Sequence, residues 1–403
     1  MIRYRAAWIL PIAAPPVRAG EVVVENGRIV RVSDAGDAAA IPIDRACETI
    51  DLGNVAVLPG LVNTHTHLEL SWMRGLVAPS NSMPAWAASL MSLRRQHGGE
   101  SVGPIATAIE QTRAAGTALV GDVTNTLAAD QLLRDSSLAG AMFYELLGFN
   151  APNPEQAVSA ARVALHGEPD HPDWIRTIVP HAPYSVSPAL FRAIEAAAGD
   201  LPVSIHVGES ADEMEFLRTA TGAWRDLLGR LGVWNDRWEP PGCGPIEYLD
   251  RLGLLNEHLI AVHGTQLPDA ELERLATAGG TLVTCPRSNR WTGAGVPPIQ
   301  RFYESGVRVA VGTDSLASVE DLNVFGELAC VHQLAPHVPA RRLLESATIE
   351  GARALGFRRE FGTIEAGKRA ALIAVSLPRH VDDVEEWLVR GIEPDVIEWL
   401  DEG

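Results

Sequence analysis

An apolar run that ends in two histidines decides the fold of this chain, and it reads Val55-Ala56-Val57-Leu58-Pro59-Gly60-Leu61-Val62-Asn63-Thr64-His65-Thr66-His67. The run has the composition of a buried strand. Residues i and i+2 of a strand point to the same face, so the imidazoles of His65 and His67 converge on one point. That spacing suits a metal ion, and the other interpretation is two unrelated core or surface histidines.

Apolar segments of the same kind alternate with stretches rich in Ala, Leu, Arg and Glu. The predicted strands are Val57 to His67, Thr117 to Val123, Ala139 to Leu146, Ile175 to His181, Pro202 to Val207, Leu259 to His263, Thr281 to Thr284, and Val307 to Thr313. Eight repeats of strand and helix predict an α/β fold, a (β/α)8 barrel of the TIM type. The alternative is a doubly wound open sheet, but no glycine-rich dinucleotide motif follows the first strand.

Short strands and turns flank this pattern at both ends of the chain. Residues 6–14 are mostly apolar. We interpret them as a first strand rather than a signal peptide, because Pro11 interrupts them and a hairpin with an Asn-Gly turn follows. We expect residues 1–54 and 351–403 to pair in a small β-sandwich, beside a barrel domain over residues 55–350.

Composition and charge exclude several classes of partner. The chain has 403 residues, of which 46% are hydrophobic, which is enough for a large core. Its net charge is -18, and a nucleic acid or an anionic membrane would need a basic face. We interpret the pairs Arg94-Arg95, Arg341-Arg342 and Arg358-Arg359 as solvated helix faces. No apolar run reaches the length of about 20 residues that predicts a membrane-spanning helix.

The cysteines indicate a reducing compartment. Cys47, Cys243, Cys285 and Cys330 are far apart in the sequence and form no CxxC pair. Isolated cysteines of this kind are typical of proteins that keep their thiols reduced. We therefore expect a cytoplasmic location.

Histidines and carboxylates gather at the carboxyl ends of the predicted strands. Five of the twelve histidines and two acidic residues lie at these ends: His65, His67, His181, His206, Glu209, His263 and Asp314. In TIM-type barrels the chemistry lies at this end of the strands. Chance placement would not favour the same end of five elements, so the sequence predicts an active site there.

One divalent ion can be surrounded by His65, His67, His206 and Asp314, with a position left open for water. An open position marks a catalytic rather than a structural metal. Lys368 is the only lysine and lies outside the predicted barrel. A carboxylated lysine therefore cannot bridge two ions, and we predict one metal. Zn2+ is the default for imidazole and carboxylate ligands, with Fe2+ or Mn2+ as alternatives.

Glu209 stands three residues after His206. A regular strand would point these two side chains to opposite faces, but the predicted strand ends here and the loop can return Glu209 to the site. A carboxyl group that lies beside a metal-bound water without binding the metal suits proton transfer. His263 is either a group that orients this water or a plain core residue, and its place beside Asp314 favours the first interpretation.

At these residues the chain resembles the amidohydrolase superfamily, in the branch of adenosine- and guanine-type aminohydrolases. The resemblance covers essentially the whole chain, and its motifs are Pro59 to His67, His206-x-x-Glu209, Val262-His263-Gly264, and Gly312-Thr313-Asp314-Ser315. It implies a hydrolase of carbon–nitrogen bonds in cyclic amidines with one metal, usually zinc. In the implied reaction, metal-activated water loses a proton to Asp314 with help from His263, Glu209 protonates the ring nitrogen, and ammonia leaves.

The resemblance extends to substrate contacts. His181 to Tyr184 resembles a substrate-binding stretch of nucleoside deaminases, and Cys285 to Arg290 and Ser315 to Ser318 resemble loops of this branch. The His67-Leu68-Glu69 sequence is similar to that of aminodeoxyfutalosine deaminases, whose substrate is a 6-aminopurine nucleoside that carries a benzoate. The contacts that follow from the resemblance are Glu69 with a ribose hydroxyl, Arg287 or Arg290 with the carboxylate, and His181 and Ser318 with the substrate.

Tryptophans follow two of the predicted strands. Trp72 and Trp86 come after the first strand, and residues 210–250 carry three more. Each group can stack on a substrate ring and exclude water, or it can pack against the outer helices. We expect Trp72 to contact the substrate, and the sequence leaves open whether residues 210–250 form a lid.

The motifs leave other functions open. A triazine hydrolase that displaces chloride or an amine needs a similar metal shell, as does an amidohydrolase that opens a cyclic amide, such as an imidazolonepropionase. A binding protein with a dead site would lack a ligand or the shuttle acid, and here all of them are present. We expect a small molecule as the partner, and the resemblance also allows a homodimer.

Overall fold

The computed structural model of the chain describes residues 1–34, 47–97, 101–166 and 171–400. Its strands are β1 (Ile2–Ile9), β2 (Val17–Glu25), β3 (Arg28–Asp34), β4 (Glu48–Asp51), β5 (Val55–Pro59), β6 (Leu61–Thr66), β7 (Thr117–Thr124), β8 (Ala139–Leu146), β9 (Trp174–Pro180), β10 (Val203–Val207), β11 (Leu259–His263), β12 (Thr281–Thr284), β13 (Arg308–Val311), β14 (Leu372–Ser376) and β15 (Ile397–Trp399).

Most helices lie between the strands from β6 to β13. They are α1 (Met83–His97), α2 (Val102–Ala114), α3 (Asp130–Arg134), α4 (Pro154–His166), α5 (Pro188–Ala198), α6 (Ala211–Thr219), α7 (Ala223–Arg230), α8 (Pro245–Arg251), α9 (Asp269–Ala278), α10 (Pro286–Thr292), α11 (Ile299–Glu304), α12 (Val324–Leu334), α13 (Ala340–Ser346), α14 (Ile349–Ala354) and α15 (Val384–Leu388). Short 3-10 helices cover Leu68–Met73 and Pro394–Val396.

Eight parallel strands form two four-stranded sheets, ordered β6-β7-β8-β9 and β10-β11-β12-β13. Each of the eight predicted strand segments overlaps one of these strands. Every residue of β7, β10 and β11 is buried, which is why these segments lack the apolar–polar alternation of a half-exposed strand. Because the strands are parallel, their carboxyl ends lie side by side at one edge of each sheet.

Hydrogen bonds also join the two sheets at both of their outer strands. The carbonyl of His181, just after β9, accepts from the N–H of His206 on β10 at 3.0 Å. On the other side, the carbonyl of His65 on β6 accepts from the N–H groups of Thr313 and Asp314 at 3.1 and 3.0 Å. Both connections lie at the carboxyl ends of the strands, so they fix the residues there relative to one another.

The first predicted strand is in fact two strands that belong to different sheets. β5 pairs with β1 and β14, whereas β6 pairs with β7. The chain passes between them at Gly60, where a Cβ atom would lie 2.6 Å from the Ala118 Cβ and 2.7 Å from the Trp399 ring. Only glycine permits this close approach. The parallel sheets therefore begin at Leu61 rather than at residue 55.

Both chain ends contribute to a seven-stranded sheet with the order β15-β14-β5-β1-β2-β3, in which β4 pairs with β1. The strand expected over residues 6–14 overlaps β1 only at residues 6–9 and ends before Pro11. The expected hairpin is formed by β2 and β3. Asn26 and Gly27 at its turn have positive φ angles of 52° and 71°, which is the conformation that Asn-Gly turns favour. β14 runs antiparallel to β5, so residues far apart in the sequence share this sheet.

Apolar burial holds the helices against the sheets. In α5, Ser187 caps the first turn by accepting a hydrogen bond from the N–H of Leu190, and Phe191 and Ile194 are buried. Burial of each such side chain stabilises the fold by about 1.5–3 kcal/mol. The four cysteines are free thiols. Within the described ranges, no helix has both the length and the hydropathy needed to cross a membrane.

Candidate active site

The carboxyl ends of the parallel strands surround a cavity of about 610 Å³. Its lining includes six residues that the sequence placed at these ends, namely His67, His181, His206, Glu209, His263 and Asp314. His65 is fully buried beside them, with its ring centroid 4.9 Å from that of His67 and 4.8 Å from that of His206. The structure therefore brings together all seven side chains at the predicted strand ends.

Imidazoles and one carboxylate offer a set of metal ligands. Asp314 Oδ1 lies 3.5 Å from His67 Nε2 and 3.9 Å from His65 Nε2. The ligand atoms of His65, His206 and His263 also lie within 4.8 Å of one another. Both ring nitrogens of His65 and Nε2 of His206 are buried without a hydrogen-bond partner among the described residues. Because buried polar atoms are normally satisfied, this set fits a divalent metal ion.

Burial keeps most of these imidazoles neutral, which is the form that binds metal. Burial lowers the pKa of His65 well below its usual value, and His206 lowers it further. Burial also lowers the pKa of His263 to about 3 and that of His181 to about 4. His206 differs, because the nearby Glu145 carboxylate outweighs burial and raises its pKa to about 9. The carboxylates around His206 therefore favour a positive charge at this place, and a bound cation would supply that charge.

Asp314 is held by two serine hydroxyls. Ser288 Oγ donates to Asp314 Oδ2 at 2.5 Å, and Ser318 Oγ donates to the same atom at 3.3 Å. Burial alone would raise the pKa of Asp314, but His67 and His263 outweigh burial and lower it. Ser318 is fully buried and does not line the cavity. The expected contact between Ser318 and substrate therefore does not fit, and Ser318 instead positions the carboxylate of Asp314.

His263 and Asp314 have backbone conformations that are uncommon outside glycine. Their φ angles are 76° and 63°, in the left-handed region that costs about 1–3 kcal/mol and is concentrated at functional sites. The amide nitrogen of Asn289 donates to His263 Nδ1 at 3.0 Å. Since Nδ1 accepts, the proton of the neutral ring is on Nε2. That atom lies 3.1 Å from His206 Nδ1 and faces the centre of the site.

Glu209 turns back over the site. β10 ends at Val207, and Gly208 follows with a φ angle of 59° that reverses the chain. The Glu213 carboxylate fixes this turn by accepting from the N–H groups of Gly208 and Glu209, each at 2.9 Å. Glu209 Oε2 lies 3.6 Å from His263 Nε2 and lacks a hydrogen-bond partner among the described residues. Burial raises the pKa of Glu209 well above its usual value, so its carboxyl group retains a proton to higher pH.

A second polar group in the cavity was missed by the sequence reasoning. Glu145, near the end of β8, places Oε1 3.5 Å from His206 Nε2, and its Oε2 accepts from Asn125 Nδ2 at 3.0 Å. His181 lies in the same group, with Nδ1 2.6 Å from Ser185 Oγ. The available signal was a single charged residue at the carboxyl end of an otherwise apolar strand.

Glu69 and Trp72 do not occupy the places that the resemblance implied. The Glu69 carboxylate is buried outside the cavity lining and accepts five hydrogen bonds, whose donors are Arg94 Nη2, Thr124 Oγ1, Asn125 N, Thr126 N and Thr126 Oγ1. Four of these bonds are to Oε2 and one is to Oε1, so the carboxylate is engaged by the protein itself. The Trp72 ring stacks on His97 with centroids 3.9 Å apart and also lies outside the lining. Glu69 and Trp72 therefore have structural roles and do not lie where a substrate in the cavity would contact them.

The predicted contact between Arg287 and a substrate carboxylate does not fit the structure either. Its guanidinium donates to Glu327 Oε1 at 2.6 Å and to Asp321 Oδ1 at 2.8 Å. These two carboxylates neutralise it, and it does not line the cavity. Arg290, on the same helix, is exposed and likewise lies outside the lining. Neither arginine is placed to meet a carboxylate of a bound substrate.

Residues 210–250 contribute a wall of the cavity. Trp224 on α7 stacks on Tyr184 with ring centroids 3.9 Å apart, and both rings line the cavity. Trp238 instead stacks on Phe216, with centroids 4.8 Å apart, and belongs to the packing behind this wall. The segment is therefore partly a substrate-facing wall and partly core.

Helix α1 forms another part of the wall. Trp86 and Leu90 line the cavity, and so do Arg94 and Arg95 near the end of the helix. Arg95 is exposed, as the interpretation of a solvated helix face requires, whereas Arg94 is half-buried and departs from that interpretation. Arg94 Nη2 donates to Glu69 Oε1 at 2.8 Å, which ties the helix to the buried glutamate.

The fold and this arrangement of residues define a metal-dependent hydrolase. The model of the amidohydrolase family matches residues 56–400, and the chain belongs to the amidohydrolase family. An aminodeoxyfutalosine deaminase of Deinococcus radiodurans is 33% identical over 350 residues, which cover 84% of this chain and 82% of that protein.

Two further comparisons give the same class. A 5-methylthioadenosine/S-adenosylhomocysteine deaminase of Desulforudis audaxviator is 29% identical over 382 residues, which cover 92% of this chain and 83% of that protein. The crystal structure of an adenosine deaminase from Xanthomonas campestris with bound zinc is similar with a TM-score of 0.81 and 28% identity. That similarity covers 98% of this chain and 90% of the other chain.

Proposed function

We propose that this protein is a zinc-dependent deaminase that hydrolyses the 6-amino group of an adenosine-type nucleoside and releases ammonia. The observation that carries the proposal is Glu209, a carboxyl group that is 2% exposed and has a pKa raised by burial. It lies beside His263 at the same end of the cavity as the metal-binding set. A protonated acid at this place suits a reaction in which a ring nitrogen must gain a proton.

His65, His67, His206 and Asp314 would hold the metal, and imidazole with carboxylate donors favours zinc. A bound divalent ion lowers the pKa of water from 15.7 to about 7 and so makes a nucleophile available at neutral pH. Asp314 is ionised because His67 and His263 lower its pKa, and it accepts the proton of the attacking water. His263 keeps its Nε2–H towards the reacting centre and orients the water.

The proton balance then closes on residues of the chain. The oxygen of water adds to the ring carbon that carries the amino group, and Glu209 donates its proton to the adjacent ring nitrogen. The proton held by Asp314 passes to the departing amine, which leaves as ammonia. The hydroxyl group on the ring carbon returns its remaining proton to Glu209 as the carbonyl forms. One water is thus consumed for each ammonia released, and both carboxyl groups regain their starting protonation states.

We also propose that the two parallel sheets form one closed (β/α)8 barrel. The support is the hydrogen bonds that join β6 to the residues after β13, and His181 to β10. We propose in addition that the sheet of the chain ends is a small β-sandwich, supported by a separate apolar core that includes Tyr4, Val22 and Leu372.

The test is ammonia release from zinc-loaded protein across a panel that separates leaving groups. The nucleosides are adenosine, methylthioadenosine, S-adenosylhomocysteine and aminodeoxyfutalosine, and the other compounds are a chlorotriazine and a cyclic amide. We expect ammonia from at least one nucleoside and none from that nucleoside with metal-depleted protein. Turnover of the chlorotriazine or the cyclic amide alone, with every nucleoside inert, would refute the proposal.

A further inference from the structure

The end of β6, which leads into His67, is irregular. β6 advances three residues from Asn63 to Thr66, whereas the paired part of β7 advances two, from Val120 to Asp122. β6 therefore carries one extra residue here, and an extra residue of this kind interrupts the ladder of backbone hydrogen bonds. Because strand pairing alone does not fix the direction of a side chain beyond this point, contacts outside the ladder must hold His67.

His67 is held through its two neighbours in the chain. On one side, Thr66 Oγ1 donates to the carbonyl of Asp314 at 2.9 Å. On the other side, the N–H of Leu68 donates to Asp122 Oδ1 at 2.8 Å. Asp122 lies on β7, opposite Thr66 in the strand pairing. The first contact is made to another proposed metal ligand, and the second is made to a carboxyl group that the proposed reaction does not use.

Asp122 is costly to keep in the core. Its side chain is fully buried outside the cavity lining, and its Oδ2 has no hydrogen-bond partner among the described residues. Burial raises the pKa of Asp122 well above its usual value, although the hydrogen bond from Leu68 opposes this rise. Since a buried polar atom without a partner costs free energy, an apolar residue would suit this place better. The contribution specific to Asp122 is its bond to the N–H of Leu68.

A second carboxylate joins the same two segments in the opposite direction. Glu69, the residue after Leu68, accepts from Thr124 Oγ1 at 2.7 Å and from the N–H of Thr126 at 3.1 Å. These donors lie at the end of β7 and just after it. Of the two acids, only Asp122 bonds to a residue adjacent to a proposed metal ligand. Loss of Asp122 should therefore affect metal binding, whereas loss of Glu69 should affect mainly stability.

We infer that Asp122 is a positioning residue for the metal ligand His67. By holding the N–H of Leu68, it keeps His67 Nε2 beside Asp314 Oδ1, from which it lies 3.5 Å away. The inference rests on the metal site of the proposed function and adds to it a residue outside the ligand set. Hydrogen bonds that orient a metal ligand from outside the ligand set typically change metal affinity by about 10- to 100-fold when they are removed.

The test measures zinc affinity without substrate, by competition between metal-depleted protein and a chromophoric chelator. Asp122→Ala removes the acceptor, Asp122→Leu removes it while filling the same space, and Asp122→Asn keeps a neutral acceptor at Oδ1. Thr117→Val is the matched control, because it changes a buried polar side chain without a hydrogen-bond partner at the other end of β7. The visible spectrum of each cobalt-loaded variant reports ligand geometry, and denaturant titration of the metal-depleted form reports stability.

We expect Asp122→Ala and Asp122→Leu to bind zinc about 10- to 100-fold more weakly than the unmodified protein and to show an altered cobalt spectrum. Asp122→Asn should keep most of the affinity and the unmodified spectrum, and Thr117→Val should keep both. A purely structural role would change the stability of the Asp122 variants alone. Unmodified zinc affinity and an unmodified cobalt spectrum in folded Asp122→Ala or Asp122→Leu would overturn the inference.

Failure of the proposed function is recognised separately, because no substrate enters these measurements. Unmodified protein that binds zinc and releases no ammonia from any nucleoside would refute deamination, and weaker zinc binding by Asp122→Leu would still uphold the role of Asp122. Equal zinc affinity in the unmodified protein and Asp122→Leu, with ammonia released by both, would refute the role of Asp122 and leave deamination supported.

Discussion

The two ends of the cavity are built in different ways. The inner end takes its polar side chains from strand ends, where hydrogen bonds between strands fix the backbone, as between His65 and Asp314. The outer end takes its side chains from helices α1 and α7, which present apolar surface and the exposed side chain of Arg95. We propose that the reaction takes place at the inner end and that the helices of the outer end contact the rest of the substrate.

Two buried glutamates, Glu69 and Glu209, can be compared in the same way. Glu69 and Glu209 are 1% and 2% exposed. The Glu69 carboxylate accepts five hydrogen bonds, whereas Glu209 Oε2 has no partner among the described residues. Burial alone therefore does not mark a functional carboxylate, and an unsatisfied acceptor in a cavity does. Variants of Glu69 and Glu209 separate these two cases.

The largest effect is expected for Glu209→Gln. Glutamine has nearly the shape of glutamate but has no acidic proton to give, so kcat for the nucleoside should fall by about 10²–10⁴-fold. Metal content should stay at the unmodified level, because Glu209 is not among the proposed ligands. The measurements are ammonia release and metal analysis of the same sample. A variant that retained kcat would show that proton delivery comes from another group.

The next effect is expected for Glu69→Gln, and it concerns stability. The amide would lose the ion pair with Arg94 and leave buried donors of Thr124 and Thr126 less well satisfied. The free energy of unfolding should fall by about 3 kcal/mol, measured by denaturant titration. Glu209→Gln serves as the contrast and should not destabilise the fold, because the carboxyl it removes is poorly satisfied. Equal loss of stability in both variants would break the distinction between the two glutamates.

A smaller effect is expected in the pH dependence of stability. Burial raises the pKa of Glu213 to about 7, although the N–H groups of Gly208 and Glu209 oppose this rise. Because the folded pKa is raised, the stabilising contribution is complete below the unfolded pKa and is lost as pH rises through 7. Between about pH 5.5 and 8 this group should remove about 2 kcal/mol from the free energy of unfolding.

Glu213→Gln tests that contribution because it removes the titration while keeping the size of the side chain. The stability of the variant should depend less on pH over the same interval than that of the unmodified protein. The measurement is a series of denaturant titrations at different pH values. Parallel pH curves for the two proteins would show that Glu213 does not titrate in this range.

The smallest effect is expected for Trp224→Leu at the outer wall. The indole stacks on Tyr184 and lines the cavity, so leucine would remove an aromatic contact while keeping the wall apolar. KM for a nucleoside with an aromatic extension should rise by a factor equivalent to about 1 kcal/mol, and kcat for adenosine should change little. A large loss of kcat for adenosine would mean that the outer wall takes part in the chemistry.

The inner end could be read from the sequence because its residues are local to strand ends. The alternation of strands and helices places the carboxyl ends of parallel strands together, and the strand periodicity puts His65 and His67 on one face. Seven polar residues found in this way meet at one end of the cavity. The turn that returns Glu209 to the site depends on Gly208 and Glu213, and both stand within four residues of it.

The outer end could not be read in this way because it depends on how helices rotate and pack. The sequence alone does not indicate that α1 turns Arg95 towards the cavity, or that Glu327 and Asp321 neutralise Arg287. Glu69 and Glu209 also look alike in sequence, since their difference lies in hydrogen-bond donors from residues 124–126. The sequence also did not predict that the chain passes from one sheet to another at Gly60. That passage depends on contacts with Ala118 and Trp399, which come from distant segments.

The most direct test of the account is to follow one 6-aminopurine ribonucleoside in oxygen-18 water with zinc-loaded protein. Mass spectrometry of the nucleoside and assay of ammonia report the two products of the same turnover. The account predicts a 6-oxopurine nucleoside that carries a single oxygen-18 atom, an equal amount of ammonia, and an intact bond to ribose. Release of the free purine base, or an unlabelled product, would contradict hydrolysis at the ring carbon.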